Sequence, residues 1–219
     1  MPSLVEYDVP YYSRREKSFA FQAEVRTILD LIQPEKHDYI LEVGCGSGFN
    51  LRALSRYDCD MVAGVDWLPA ATKLSSDLSK GYSTIAGDAR GLPLGDGTFT
   101  KIIAQHVIEH FEDPVSVLGD WRRVLKPGGL VLLTTPNQRF PEQDWFYDPS
   151  HHHIYTGEEL ARLVVASGFK VVDQRIINPF FISTKFHSFA ARYLQWFYRF
   201  PFLSRRGMSL VLLAVKAGE

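Results

Sequence analysis

An apolar strand that runs straight into alternating glycines constrains this chain more than any other feature. Residues 39–44 (YILEVG) read as a strand, and LEVGCGSG (41–48) puts Gly44, Gly46 and Gly48 in the turn that follows. Glycine reaches positive φ without steric cost and lets a ligand approach bare backbone. With a helix expected over 49–57, this is the opening of a βαβ unit. The unit closes on a second strand, 61–66 (MVAGVD), whose last residue, Asp66, stands 22 residues past Gly44. An acidic side chain at that point is placed to accept both hydroxyls of a ribose.

The alternation continues along the chain. An amphipathic helix is expected over about 15–33, with Phe19, Ala23, Leu29 and Ile32 among its buried positions and Pro34 ending it. After the second strand come a helix over about 69–80, a short strand over 83–87 leading to Asp88, and a strand at 100–105. A helix at 114–125 then ends in the Lys126-Pro127-Gly128-Gly129 turn, before a strand at 129–135. Thr156 is the expected N-cap of a helix over 156–167, with Glu158 and Glu159 in its first turn. Gly168 closes it, and strands follow at 169–176 and 209–216. Strands that are apolar throughout, rather than alternating, suit a parallel sheet with helices on both faces. The expected fold class is therefore α/β, a doubly wound, mostly parallel seven-stranded sheet. An aromatic-rich helical insert falls between the last two strands. One domain spans 1–219: an N-terminal helical segment (1–34), a cofactor-binding core (35–177), the insert (178–208) and the last strand (209–219).

Composition removes several classes. Of 219 residues, 46% are hydrophobic and 22% charged, with a formal net charge of -1, so nothing pulls the whole surface towards nucleic acid. Cys45 and Cys59 are too close in sequence to staple a domain and read as reduced cytoplasmic thiols. Residues 1–20 carry Arg14, Arg15, Glu16 and Lys17 where a signal peptide needs an apolar segment. No apolar run reaches the length of about 18 residues that a spanning helix requires. The chain is expected to be cytoplasmic, soluble or peripheral to a membrane.

Two cofactor classes use a glycine turn with an acid at the next strand end. A dinucleotide wants G-x-G-x-x-G with a pyrophosphate at the helix N-terminus. Here the pattern is E-x-G-x-G-x-G from Glu42 to Gly48, and Phe49 and Asn50 stand where a third dinucleotide glycine would fall. Glu42 brings a carboxylate to the site, which suits a cationic amino-acid moiety better than a phosphate. No Tyr-x-x-x-Lys pair supports a nicotinamide oxidoreductase. The residues thus favour S-adenosyl-L-methionine.

Over roughly residues 35–175 the chain resembles the class I S-adenosylmethionine-dependent methyltransferases, in the ubiquinone-biosynthesis-like (type 11) branch. LEVGCGSG resembles the motif that wraps the methionine part of the cofactor, which implies Glu42, Gly44, Cys45, Gly46 and Gly48 there. VDWLPAA (65–71) resembles the second motif, implying Asp66 on the ribose and Trp67 beside the adenine. GDARGLPLGDGTFTKI (87–102) resembles the third, implying that Asp88 and the Ala89 backbone meet the adenine edge. IAQHVIEHFEDP (103–114) and RRVLKPGGLVLLTTPN (122–137) resemble the fourth- and fifth-strand motifs, implying Gln105 and His106 beside the methyl donor. The resemblance implies a Rossmann-like fold and a methylation enzyme, most simply one acting on oxygen.

The acceptor side is less specific. A methyltransferase aligns its nucleophile and, for oxygen, removes a proton, and histidine is the natural base near neutral pH. The loop after the fifth strand carries Asp148, His151, His152, His153 and Tyr155, and the pattern from His151 to Thr156 also resembles the family's acceptor loop. His151 and His153 are the catalytic candidates. Glu109 and His110 are expected to orient the loop or helix. Asp144, Asp148 and the histidines are metal-ligand types, but no spacing specifies a site, and no metal is expected. Tyr7, Tyr11 and Tyr12 are expected to fold over the cofactor. Within the insert, Phe186, Phe189, Ala190, Tyr193 and Phe197 share one helical face, opposite Lys185, Ser188, Arg192, Gln195 and Arg199. That face suits core packing or a lid, a membrane surface or lipid acceptor, or a homodimer contact. The expected partner is a small-molecule or lipid-like acceptor and not nucleic acid. The other functional class left open is a cofactor-binding partner or scaffold without catalysis.

Overall fold

The computed structural model describes residues 9–77, 81–139, 148–179 and 207–218. Helices α1 (Val9–Lys17) and α2 (Phe19–Ile32) precede β1 (Tyr39–Val43), α3 (Phe49–Leu54), β2 (Met61–Asp66), α4 (Pro69–Asp77) and β3 (Ser83–Ala86). Then follow β4 (Phe99–Gln105), a 3₁₀ turn (Ile108–His110), α5 (Pro114–Val124) and β5 (Leu125–Pro136). The last elements are α6 (Gly157–Ala166), β6 (Phe169–Pro179) and β7 (Gly207–Lys216). The strands form one sheet in the order β3-β2-β1-β4-β5-β7-β6. Strands β1 to β5 pair in parallel, and β7 runs antiparallel between β5 and β6. The doubly wound, mostly parallel α/β sheet expected from the sequence is what forms.

Strand alternation splits the core between the two faces of the sheet. Leu41, Val43, Ile102 and Leu133 pack with Trp121 and Leu160 on one face. Their neighbours Ile40, Ile103 and Leu132 pack with Ile28, Ile32, Leu51 and Leu54 on the other. From β1 the chain winds outward to β2 and β3, then returns to β4 on the opposite side. This leaves a crevice beyond the carboxyl ends of β1 and β4, the usual ligand position in an open α/β sheet.

Several boundaries differ from the sequence reading. The single N-terminal helix is two helices, broken at Ser18, which is extended (φ -67°, ψ 132°). The second helix buries Phe21, Val25, Ile28 and Ile32, whereas Ala23 and Leu29 are only half-buried. The first helix carries Tyr12 over the glycine turn, a position that a straight continuation of α2 does not serve. The first strand stops at Val43, α3 ends at Leu54, and β3 ends at Ala86. Lys126–Gly129 does not separate helix from strand but bulges out of β5. Leu125 pairs with Phe99 and Leu130 with Lys101, so the four residues between loop away. Residues 78–80, the aromatic part of the loop after β5 (140–147) and nearly all of the insert (180–206) lie outside the described residues. Among the described residues, no helix is long and apolar enough to cross a membrane.

Candidate cofactor and acceptor site

The glycine turn is tied to the end of β2. Gly44 and Cys45 donate backbone hydrogen bonds to the Val65 carbonyl at 2.7 and 3.1 Å. Gly46 donates to Asp66 Oδ2 at 2.8 Å, and Leu68 to Asp66 Oδ1 at 2.9 Å. Glycine is required at three positions of the turn. Gly44 has φ +70°, and a β-carbon there would sit 2.4 Å from Val107 Cγ2. Gly46 has φ +49°, with a β-carbon 2.8 Å from the Tyr12 ring. Gly48 has φ +76°, and a β-carbon there would fall 2.1 Å from Ser75 Oγ.

Over this turn opens a pocket. Of the residues expected at the cofactor, Glu42, Gly44, Cys45, Gly46 and Gln105 line it, joined by Asn50 and by Tyr12, Arg15 and Glu16 of α1. Tyr12 thus lies where a covering tyrosine was expected, while Tyr7 is outside the described residues. Asp66 is buried beneath the turn, and burial raises its pKa. Three adenine-side residues stand apart from the pocket lining. Trp67 is 72% exposed, Asp88 is exposed and paired with Arg90 at 2.6 Å, and the Ala89 carbonyl accepts from Trp121 Nε1 at 2.9 Å. Cys45 and Cys59 are both free thiols, and burial holds the Cys45 thiol protonated.

Glu42 is the strongest ligand signal in the pocket. Its Oε1 accepts from Asn50 Nδ2 at 2.7 Å, while Oε2 is buried with no hydrogen-bond partner among the described residues. Burial pushes its pKa up to about 8. A buried carboxylate oxygen without a partner is a costly feature unless a ligand completes it. A cationic amino-acid group does so, and a phosphate does not.

A second polar network lies beyond Gln105. Asn50 Nδ2 also donates to Gln105 Oε1 at 2.8 Å, and Gln105 Nε2 donates to Glu24 Oε2 at 2.7 Å. The same oxygen of Glu24 meets His106 Nε2 at 2.8 Å, and Ser209 donates to Glu24 Oε1. His106, at φ +56°, turns its ring inward rather than into the pocket, with Nδ1 3.4 Å from Glu109 Oε1. Burial works against both charges, but His106 and its hydrogen bonds hold Glu24 down at about 2. Glu24 and Glu109 in turn hold His106 up at about 9. His106 is therefore an imidazolium at neutral pH, suited to structure and field rather than to accepting a proton.

The histidine loop is fastened to the 3₁₀ turn. The Glu109 carbonyl accepts from His152 N and His153 N at 2.8 and 3.2 Å. His110 Nδ1 bonds the Ser150 carbonyl at 3.1 Å, and Asp148 accepts from Ser150 N and Oγ at 2.9 and 2.6 Å. His151 is half-buried, its ring 4.8 Å from that of His110, and its Nδ1 is buried without a partner among the described residues. Burial lowers its pKa, the direction that keeps an imidazole neutral. His153 instead is exposed, with its ring 4.4 Å from Tyr155, and His152 faces Glu112. The structure therefore separates the two expected histidines. It also brings forward residues the sequence reading did not place at the site: Arg15, Glu24 and Asn50, together with Glu109 and His110. Glu24 had one legible signal, a carboxylate set between Phe21 and Val25 on the apolar stripe of its helix.

Comparison with known proteins agrees with this geometry. Residues 13–174 match the family model described as a methyltransferase domain. A Mycolicibacterium smegmatis protein named "Probable S-adenosylmethionine-dependent methyltransferase" is 30% identical over 136 residues, covering 61% of this chain and 52% of that one. A ubiquinone biosynthesis O-methyltransferase of Parvibaculum lavamentivorans is 28% identical over 130 residues, covering 58% and 50%. The chain spans about half the length of such curated relatives. In fold, an S-adenosylmethionine-dependent methyltransferase from Aquifex aeolicus superposes with a TM-score of 0.70 at 14% identity, over 96% of this chain and all of that one. The chain belongs to the methyltransferase-domain family, and relatives named above are described as S-adenosylmethionine-dependent. The unpartnered Glu42 oxygen and the glycine cradle fit that cofactor.

Proposed function

We propose that this chain transfers a methyl group from S-adenosylmethionine to an oxygen of a small-molecule or lipid-like acceptor. The observation that carries this reading is the polar line from the pocket at Glu42, through Asn50, Gln105, Glu24 and His106, to Glu109, which has His110 and His151 ligand atoms within 4.8 Å. When bound, the cofactor supplies a methyl carbon made electrophilic by its sulfonium. The chain's own residues then have four tasks: to seat the cation, hold the ribose, keep water out and manage the acceptor's proton. Glu42 meets the amino-acid cation, and Asp66 offers its remaining lone pairs to the ribose. Tyr12 covers the turn. His151, neutral through burial, takes the hydroxyl proton as the acceptor oxygen bonds to carbon. The relatives named as ubiquinone biosynthesis O-methyltransferases support oxygen as the methylated atom. The aromatic and basic pattern of residues 185–199 supports a greasy acceptor or a membrane surface.

The test is a thermal-shift titration with S-adenosylhomocysteine beside NAD and NADP. A dose-dependent rise with the first alone, lost in Asp66→Ala, is the expected result, because a ligand well above its Kd stabilises the folded state. Phenolic, sugar and lipid acceptors are then screened with labelled donor. No shift at millimolar S-adenosylhomocysteine would overturn the reading. Binding without turnover on any acceptor would favour a scaffold role.

A further inference from the structure

We infer that Glu109, His110 and His151 form a binding site for one divalent cation of the Zn²⁺, Co²⁺ or Mn²⁺ class. One ligand atom from each of the three lies within 4.8 Å of the other two. Two imidazoles and a carboxylate are the donor set that such borderline cations take, whereas Mg²⁺ and Ca²⁺ prefer oxygen alone.

Two buried atoms of the cluster have acceptor capacity left for a ligand. Glu109 is fully buried; Thr135 Oγ1 donates to its Oε2 at 3.0 Å, while its Oε1 makes no hydrogen bond among the described residues and has only the longer 3.4 Å contact to His106 Nδ1. His151 Nδ1, also buried, has no hydrogen-bond partner among the described residues. Both atoms belong to members of the cluster.

The supporting contacts are those a metal site needs, since ligating groups are held by their other polar atom. Thr135 holds Glu109, and the Ser150 carbonyl and hydroxyl hold His110 Nδ1, leaving its Nε2 for a ligand. Asp148 fixes Ser150, and its negative charge acts on both histidines. Metal–ligand bonds of about 2.0–2.2 Å need donor atoms roughly 3.3 Å apart, so the two rings draw together on binding. Three protein ligands leave a position open, as in sites where the ion touches substrate. The cation's binding is independent of the reaction proposed above. Its role rests on that reading: it would hold the acceptor oxygen and make the hydroxyl acidic enough to lose its proton to solvent, with His151 then a ligand in place of the proton acceptor.

The full chain, stripped with chelator, is titrated with Zn²⁺ by calorimetry and with Co²⁺ by visible absorption, with S-adenosylhomocysteine binding read on the same samples. One equivalent should bind, with affinity falling at least about tenfold in both His110→Gln and His151→Gln. S-adenosylhomocysteine binding should persist in each variant, showing that the fold and cofactor pocket survive. No saturable uptake, or uptake that neither substitution weakens, would overturn the site. Failure of S-adenosylhomocysteine to bind while the metal binds would count against the methyl-transfer reading alone. Activity unaffected by chelator, yet lost in His151→Gln, would overturn the cation's role and leave His151 as the base.

Discussion

Glu24 Oε2 and His106 Nε2 meet at 2.8 Å in a fully buried ion pair, and this contact fastens α2 to the end of β4. Glu24 also receives Ser209 from β7 and Gln105 from β4, so one carboxylate joins three elements beneath the crevice. The N-terminal helices are thereby part of the site's foundation.

Removing one partner of such a pair leaves the other charge buried and uncompensated. Glu24→Ala is expected to cost about 3–5 kcal/mol. For a chain of this size that lowers the melting temperature by roughly 6–20 °C, measurable by calorimetry. A change of a degree or less would mean that the pair adds little beyond packing.

Glu42 makes stability and cofactor affinity depend on pH in opposite ways. Its folded-state pKa, about 8, lies above the ordinary 4.5, so the empty folded protein keeps a proton that the unfolded chain has lost. Stability from this group is fully present below pH 4.5 and declines until about pH 8, by on the order of 5 kcal/mol. Glu42→Gln should remove that slope. A cationic ligand favours the ionised form, so S-adenosylhomocysteine binding should release a proton near pH 7 and tighten up to pH 8. Calorimetry in two buffers of different ionisation enthalpy reads this directly, and binding without proton release would contradict it.

Gly46→Ala tests the cradle. Positive φ costs a β-carbon residue roughly 1–2 kcal/mol, and the new methyl would press on Tyr12 at 2.8 Å. The variant should lose S-adenosylhomocysteine affinity by well over tenfold. Adding Tyr12→Ala relieves the clash but not the backbone strain. The double variant should therefore be more stable than the additive sum of the two single changes, as a thermal double-mutant cycle would show.

The parallel core was legible because its signals are local. Each apolar run, such as 39–43 or 61–66, is bounded by glycine or an acid and needs no distant partner to declare itself. The break at Ser18 was not, because it reflects Tyr12 packing on Gly46 across the fold. The Lys-Pro-Gly-Gly segment reads as a terminator by composition, yet it bulges from a strand whose pairing resumes at Leu130. At the site, the glycine turn, Glu42 and Gln105 stood in motifs and were found at the pocket. The histidine cluster needed tertiary structure: His110 and Ser150 lie 40 residues apart and meet because β4 and β5 are neighbours. Three adjacent histidines look alike in sequence, and only burial separates them.

That separation makes the last prediction. His151 is half-buried beside His110 with a nitrogen that has no partner among the described residues, while His153 is exposed against Tyr155. Whether His151 takes a proton or holds a cation, it works from the cluster, and His153 does not. With an acceptor found by the labelled-donor screen, His151→Asn should lower kcat by about 10²-fold or more, the scale on which positioned acid–base groups act. His153→Asn should change it less than about threefold, within what an exposed substitution does to an ordered loop. Both should keep S-adenosylhomocysteine binding, because neither residue lines the cofactor pocket. If His153→Asn proved the damaging change, the acceptor would have to enter from the Tyr155 side, and the polar line from Glu42 to His151 would not mark the reaction path.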